Sequence, residues 1–298
     1  MNAKADQWRE WALERLEREY SPSSCVPSID PFLEAYVQRS GEAARHLRYK
    51  QNLRWGTGEN DFFDFFPAAS PDAPILIFFH GGYWQEHSKT DVLFVALKCV
   101  ASGIAYASVE YTLAPQASVG AIVEQCRRAV ASISRQAATL GFNSDRVFVG
   151  GSSAGAHLAA MLLLDGWRET QGLPEDVVAG AILLSGIYDL EPLVPTYVNH
   201  ALRMTEQDAA ALSPMARPLG PRIPVIVSWG ENETEEFKRQ SQEFASKLNY
   251  AGFPVTSLQV DGANHFDIVF EIADTTTVLG QATLGLITAN TNVGGADG

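Results

Sequence analysis

The segment RVFVGGSSAGAHLAAMLLL carries the first pattern with chemical meaning. Residues 151–155 match the pattern Gly-x-Ser-x-Gly, with Ser153 at its centre. A short apolar run ends near Gly150 and a helical run begins at Ala154, so the serine falls on a sharp turn between a strand and a helix. Small neighbours let such a serine project its hydroxyl from a strained backbone. A phosphate-binding loop is the alternative, but no lysine follows and the Gly-x-Gly-x-x-Gly spacing is missing. Ser153 is therefore the predicted nucleophile.

A serine nucleophile needs a general base, because a neutral hydroxyl is a poor nucleophile near pH 7. The chain has six histidines. We favour His265, which lies in the loop VDGANHFDIV directly after the last apolar strand. Its position agrees with the chain order serine, acid, histidine. His157 lies one turn into the helix after the serine and is expected to pack there.

The third member of the predicted triad is an acid that follows the serine and precedes the histidine. The segment PVIVSWGENETEEF offers Glu233, three residues after Gly230, where the turn can reach back towards the imidazole. Glu231 is the second choice, and Asp189 in SGIYDL is the third. The next two glutamates begin a helix, where carboxylates are favourable. An acid here would fix the tautomer and orientation of the histidine.

The motif FFHGGYW at residues 78–84 supplies a matching site for the negative charge of a serine attack. Such an attack creates an oxyanion that needs at least two preorganised N–H donors. We predict that Gly82 and Tyr83 provide main-chain donors and that Ala154, directly after the serine, provides another. His80 is expected to brace this loop by hydrogen bonding rather than to act as the base.

The elements that position these residues alternate between apolar strands and helical stretches. Two short strands are predicted around the glycine-rich turn of LRWGTGENDFFDFFP. Further strands are predicted at ILIFFH, 104–110, 147–150, 178–184, 224–229 and 254–260, with helical stretches around 88–101, 118–139, 154–165 and 234–250. This alternation is typical of an α/β fold with a mostly parallel central sheet and helices on both faces.

The remaining segments are assigned to one domain covering residues 1–298, because no repeat or dividing linker is present. An N-terminal helical extension is expected over about 1–50, and a small cap-like insertion over about 187–220. The tail from about 288 to 298 is predicted to be disordered.

Composition limits the partners and the location. The net charge is −13 and basic blocks are absent, which argues against nucleic acid and anionic membrane surfaces as partners. No run approaches the ~20 apolar residues of a membrane helix, and the N-terminus lacks the apolar centre of a signal peptide, so we predict a cytoplasmic protein.

Three scattered cysteines suggest neither a disulfide framework nor a zinc site. No metal or organic cofactor is implied. Trp8 and Trp11 raise the hypothesis of a homodimer.

With these motifs in hand, the chain resembles the α/β-hydrolase superfamily. HGGYWQ, GSSAGAHLA, SGIYDL and WGENETEEFKRQS resemble the kynurenine formamidase (arylformamidase) branch more narrowly, and VEYTLAP also resembles hormone-sensitive-lipase-like esterases. The resemblance implies a cofactor-independent serine hydrolase that removes formyl or acetyl groups from aromatic amines such as N-formylkynurenine or N-acylanthranilate, with activity on aryl esters. One departure is the glutamate-rich turn, which stands where aspartate is common.

The resemblance leaves the substrate contacts and the exact activity open. Trp84 is a candidate aromatic wall or, equally, a core residue. Tyr188 and Arg203 are candidate contacts from the insertion, and Arg203 or Lys89 could pair with a substrate carboxylate. A general carboxylesterase is the alternative activity, and a non-enzymatic ligand receptor is the alternative from another class.

Overall fold

One eight-stranded sheet forms the centre of the protein in a computed structural model that describes residues 7–289. The strands are β1 (Lys50–Arg54), β2 (Phe62–Phe66), β3 (Ile75–Phe79), β4 (Ala105–Val109), β5 (Val147–Ser152), β6 (Gly180–Leu184), β7 (Val225–Asn232) and β8 (Val255–Asn264). Their order is β1-β2-β4-β3-β5-β6-β7-β8. β2 pairs antiparallel with both β1 and β4, and the pairs from β4 through β8 are parallel. The sheet is therefore mostly parallel, as predicted.

Eleven α-helices within residues 7–289 surround this sheet. They are α1 (Leu13–Glu19), α2 (Asp30–His46), α3 (Val95–Ala101), α4 (Val119–Arg135), α5 (Ala137–Leu140), α6 (Ala154–Ala160), α7 (Trp167–Thr170), α8 (Asn199–Leu202), α9 (Glu206–Leu212), α10 (Glu235–Tyr250) and α11 (Val278–Thr288). Single 3-10 turns occur at Gln7–Glu10, Pro22–Cys25, Lys89–Val92, Glu191–Leu193, Pro214–Ala216 and Ile268–Glu271.

Helices cover both faces of the sheet, and this explains the unbroken apolar run of β3. Ile75, Ile77 and Phe79 contribute to one hydrophobic core with residues of α4, α6 and α10. Leu76 and Phe78 contribute to a second core with residues of α2, α3 and α11. Because successive side chains of a strand point to opposite faces, a strand covered on both sides must be apolar at every position.

Every predicted strand is present, but β7 and β8 run to Asn232 and Asn264, beyond the predicted ends at 229 and 260. Three other segments differ from expectation or lie outside the described residues. α6 ends at Ala160 rather than near 165, and Leu164 instead forms an isolated bridge with Leu219 of the insertion. α11 was not anticipated; it precedes the tail expected to be disordered, of which residues 290–298 lie outside the described residues. None of the helices described has the length and apolarity needed to cross a membrane.

The N-terminal extension packs on the body of the chain. Leu16 and Tyr20 are buried in the same core as α4 and α10, and Trp8 and Trp11 are partly buried against it. The Tyr20 hydroxyl donates to Glu236 Oε2 at 2.9 Å. The two tryptophans therefore have partners within their own chain, and the homodimer stays a prediction.

His157, at the second turn of α6, gives a pH-dependent contribution to stability. Its ring is fully buried edge-to-face against Trp84, and its Nε2–H donates to the carbonyl of Leu212 at 2.8 Å. Burial outweighs this hydrogen bond and lowers the pKa of His157 from 6.5 to about 4. Because the folded state disfavours the proton, His157 favours folding above the unfolded pKa of 6.5 and opposes it increasingly as the pH falls towards 4.

We predict that replacing His157 with glutamine flattens the acid limb of the stability profile. The amide of glutamine can still donate to Leu212 but does not titrate. Between pH 7 and pH 5 the wild type should lose about 2 kcal/mol of unfolding free energy more than His157→Gln. Urea denaturation of both proteins at the two pH values measures this difference. Parallel losses would show that His157 is not the titrating group.

Candidate active site

Ser153 stands on a strained turn between β5 and α6. Its φ is +58° and its ψ is −121°, a backbone conformation that non-glycine residues rarely adopt. The flanking glycines permit this turn, because a Cβ on Gly151 would overlap the carbonyl of Gly155 and a Cβ on Gly155 would overlap the carbonyl of Phe79. The serine motif therefore combines backbone strain with close main-chain packing, as the sequence predicted for a projecting hydroxyl.

His265 and Glu233 form a buried pair at the same edge of the sheet. The His265 Nδ1 lies 2.9 Å from Glu233 Oε2, and the two side chains are 7% and 0% exposed. Glu233 directly follows β7 and His265 directly follows β8, so adjacent parallel strands deliver both side chains. Since a carboxylate only accepts, Nδ1 carries the proton and Nε2 is left as the basic nitrogen.

Two further donors hold the Glu233 carboxylate in place. Its Oε1 accepts a hydrogen bond from Ser185 Oγ at 2.6 Å and another from the Gly230 amide at 2.5 Å. Ser185 directly follows β6 and has a φ of +50°. Sequence reasoning did not select Ser185; the only available signal was its position as the first residue of SGIYDL, directly after a strand. The carboxylate is thus oriented by three groups before any substrate binds.

The two alternative acids occupy other positions. Glu231 is exposed, and its Oε2 accepts from the Gly262 amide at 2.9 Å. Asp189 accepts from the Glu191 amide at 3.1 Å and from Ser213, and its pKa is raised, chiefly by burial. Neither makes a hydrogen bond to His265 within the described residues. Of the three candidates, the structure brings Glu233 against the imidazole.

The loop that carries His265 is held by its own side chains. Asp267 accepts hydrogen bonds from the amide and the side-chain nitrogen of Asn264, both at 2.7 Å. The Asn264 side-chain oxygen in turn accepts from the Phe266 amide at 2.8 Å. The imidazole also lies edge-on to Phe237, with ring centroids 4.5 Å apart. These contacts restrict the ring to one orientation.

The loop after β3 lies directly over the serine. A Cβ on Gly81 would stand 3.3 Å from the Ser153 Cβ, and Gly82 and Tyr83 have φ values of +97° and +50°. Among the described residues, the amides of these three residues have no hydrogen-bond acceptor, so they are available to an oxygen at the serine. Gly81 thereby joins the predicted donors Gly82, Tyr83 and Ala154 as a candidate.

His80 is fully buried beneath this loop. Its ring stacks on Tyr111 with centroids 4.1 Å apart, and its Nε2 lies 3.3 Å from Glu110 Oε1. The Tyr111 hydroxyl donates to the His80 carbonyl at 2.9 Å. These contacts agree with the predicted bracing function, and His80 also contributes to the lining of the cavity that contains Ser153.

Ser153, His265 and the loop after β3 line one cavity of about 200 Å³. Much of its opposite wall comes from the N-terminal extension, through Pro22, Ser23, Ile29, Leu33 and Tyr36. Sequence reasoning missed this wall, because nothing local in the extension indicates a contact with loops far along the chain. From the insertion, only Tyr197 reaches the cavity among the described residues.

The three predicted substrate contacts lie outside this cavity, which corrects those assignments. Trp84 is fully buried in the core against His157, and Tyr188 is fully buried with its ring stacked on Phe244 at 4.2 Å. Arg203 is exposed at the end of α8. Lys89 is also unavailable to a substrate carboxylate, because its Nζ lies 2.8 Å from Asp64 in a buried ion pair.

The family is established by sequence comparison. A sequence profile described as the alpha/beta hydrolase fold matches residues 76–268, which include most of β3, the serine turn and the His265 loop. The chain belongs to the α/β-hydrolase family. Within residues 7–289, no group of three or more His, Cys, Asp or Glu side chains forms a candidate metal site.

Two relatives and two solved structures illustrate where this α/β-hydrolase lies in its family. It is 35% identical to a kynurenine formamidase of Danio rerio, in a match that covers 94% of this chain and 98% of that protein. It is 26% identical to a kynurenine formamidase of Drosophila melanogaster, in a match that covers 87% of this chain and 92% of that protein. Its fold matches a crystal structure described as a putative thioesterase from a Silicibacter species, with a TM-score of 0.80, 24% identity and coverage of 92% and 99%. An esterase of Pyrobaculum calidifontis matches with a TM-score of 0.70, 19% identity and coverage of 88% and 93%.

We predict that Glu233→Gln abolishes most hydrolysis, because an amide at this position no longer stabilises a protonated imidazole. The kcat should fall by about 10³- to 10⁴-fold. Asp189→Asn and Glu231→Gln remove one carboxylate each without touching His265 and should cost less than tenfold. Steady-state kinetics on an aryl ester compares the three variants. A severe loss in Asp189→Asn with an active Glu233→Gln would reverse the assignment.

We also predict that Ser185 acts through Glu233. Ser185→Ala removes a hydrogen bond to a buried carboxylate, worth about 1.5–3 kcal/mol, so kcat should fall by about tenfold to a hundredfold with little change in KM. Ser228→Ala is the matched control: this equally buried hydroxyl donates to the Leu258 carbonyl at 2.9 Å and does not contact Glu233. Equal losses of kcat in both variants would show that Ser185 contributes only to packing.

Proposed function

We propose that this protein removes N-formyl groups from aromatic amines, with N-formylkynurenine as the leading substrate and with aryl esters as secondary substrates. The observation that carries the proposal is that His265, paired with the buried Glu233, lines the same cavity as Ser153, beneath a loop of free amides. The choice of a formyl amide is supported by the full-length similarity to proteins named kynurenine formamidase. The lining of Leu33, Tyr36 and Phe266 suits a flat aromatic amine.

The proposed reaction is acyl transfer in two halves. Ser153 Oγ attacks the acyl carbon while His265 Nε2 takes the serine proton, and Glu233 stabilises the imidazolium. The amides of Gly82, Tyr83 and Ala154, with Gly81 as a further candidate, would hold the oxyanion. His265 then gives its proton to the leaving aromatic nitrogen, and the C–N bond breaks. Water, deprotonated by the same histidine, cleaves the acyl-enzyme and releases the acid.

Protonation of the leaving nitrogen separates an amidase from an esterase on this scaffold. An aryl oxide leaves without a proton, whereas an aromatic amine cannot leave as an anion near neutral pH. His265 must therefore hold its proton close to the departing nitrogen. The fixed orientation of its ring, through Glu233 and the Asn264–Asp267 loop, supports this requirement. We further propose that the protein acts in the cytoplasm. Its oligomeric state can be measured by light scattering of the full chain and of a variant with Trp8→Ala and Trp11→Ala, which keeps the buried Leu16 and Tyr20.

We predict that the enzyme turns over N-formylkynurenine with a kcat/KM within about tenfold of its value for phenyl acetate, a gap of ~1.4 kcal/mol in the barrier. N-formylanthranilate and N-acetylanthranilate complete the substrate set. Ser153→Ala should lose nearly all activity on every member of the set. Initial rates followed by absorbance measure both comparisons.

Two outcomes would count against the proposal. Hydrolysis of the ester alone would make the protein a carboxylesterase whose leaving-group protonation does not serve amines. Failure of a fluorophosphonate to label wild-type Ser153, with no turnover of any substrate, would favour a ligand receptor on the same fold.

A further inference from the structure

The cavity beside Ser153 has an uneven distribution of charge. Among the described residues, its titratable lining groups are the carboxylates of Glu86 and Asp91, three tyrosines (Tyr36, Tyr83 and Tyr197) and three histidines (His80, His87 and His265). No lysine or arginine is among these described lining residues. Lys89, which follows the same loop, is withdrawn into its buried pair with Asp64. An anionic group of a substrate would therefore meet carboxylates without a compensating cation, whereas a cationic group would meet complementary charge.

Asp91 has one oxygen free to accept. Its Oδ2 accepts from the Ser88 amide at 2.8 Å and from Ser88 Oγ at 3.2 Å, while Oδ1 accepts no hydrogen bond from the described residues. Burial acts to raise the pKa of Asp91, but the contact with His87 and the hydrogen bonds from Ser88 outweigh it and keep the pKa below its usual value. The carboxylate is thus both anchored and ionised.

His87 adds a second acceptor next to the loop of free amides. Its Nδ1 lies 3.7 Å from Asp91 Oδ2, and its Cδ2 lies 2.7 Å from where a Cβ on Gly82 would stand. The carboxylate favours a proton on Nδ1, which leaves the Nε2 lone pair available, and Nε2 has no hydrogen-bond partner among the described residues. The ring therefore presents an acceptor beside the candidate oxyanion donors.

We propose that Asp91 and His87 form a subsite for a primary ammonium group on the amine side of the substrate, with Glu86 adding to the negative potential. The inference rests on the proposed function and narrows it: the preferred substrates are N-formyl arylamines whose side chain carries an ammonium group, as that of N-formylkynurenine does beside its carboxylate. Anilides whose only charge is a carboxylate, such as N-acylanthranilates, are disfavoured. The net charge of −13 adds a long-range attraction for cations. Asp91 and His87 thereby determine specificity without taking part in bond breaking.

Three formanilides with the same ortho-ketone test the preference. N-formylkynuramine carries an ammonium group, 3-(2-formamidobenzoyl)propanoate carries a carboxylate, and 2'-formamidopropiophenone is neutral. We expect kcat/KM to rank cation above neutral above anion, with the cation at least tenfold above the anion and the difference mainly in KM. Equal values, or a preference for the anion, would overturn the proposal.

Variants then locate the effect. Asp91→Asn, which removes the charge, and His87→Phe, which keeps a ring but removes the acceptor, should each lower the ratio of cation to neutral kcat/KM by about tenfold, the effect of losing one charge-assisted hydrogen bond. Glu59→Gln, which removes an equal charge from an exposed position outside the cavity, is the control and should leave the ratio within twofold. Equal losses of kcat/KM on all three substrates would show that Asp91 only maintains the structure of the loop, and would contradict the proposed subsite.

Aryl acetates keep this test independent of the amidase proposal. If no formanilide reacts but phenyl acetate does, the proposed function fails, and 3-(aminomethyl)phenyl acetate, which carries a primary ammonium group, can be compared with 3-carboxyphenyl acetate. A tenfold preference for the cation that Asp91→Asn removes would keep the charged subsite on an esterase. The absence of any preference would reject the subsite together with the amidase activity.

Discussion

The candidate site depends on keeping one carboxylate and one imidazole together out of water. Burying a charge is costly unless hydrogen bonds compensate, and Glu233 has three donors: Ser185, Gly230 and His265. Ser185 and His265 directly follow β6 and β8, and Gly230 lies near the end of β7, so the pair requires three neighbouring strands in parallel register. The sheet therefore does more than present side chains; it supplies the polar groups that make an ionised Glu233 tolerable in the interior.

Packing around the same sheet maintains the strained backbone of the turns that carry the site residues. Ser153, Ser185, Tyr83 and His87 all have positive φ values, and each follows or lies close to the end of a parallel strand. A left-handed backbone at a residue with a side chain costs free energy and persists only where the surroundings leave no alternative. Close main-chain contacts at Gly151 and Gly155 provide that constraint for the serine. Preorganisation of donors and nucleophile is thus supported by the core on both faces of the sheet.

Local signals explain what the sequence could predict. Strands covered on both faces must be apolar, so β3 to β7 were recognisable, and Ser153 follows from the glycine spacing around a strand end. Glu233 could only be ranked above Glu231 and Asp189, because the direction in which a turn projects its side chains depends on distant partners such as Ser185. Trp84 and Tyr188 stand beside functional residues in sequence yet point into the core. Neighbourhood along the chain does not determine which face of a loop a side chain occupies.

The N-terminal extension shows the same limit on a larger scale. Its Tyr20 joins parts of the site that lie far apart in sequence. The Tyr20 carbonyl accepts a hydrogen bond from the hydroxyl of Tyr83, which lies in the loop over Ser153. The Tyr20 hydroxyl donates to Glu236 and accepts from Gln240, and both residues belong to α10, the helix after Glu233. Gln240 in turn accepts from the Tyr188 amide behind Ser185. One buried tyrosine thus connects the candidate oxyanion loop with the segments that hold the acid. The N-terminal extension, which no sequence motif links to the site, therefore forms one wall of the cavity and connects its two sides.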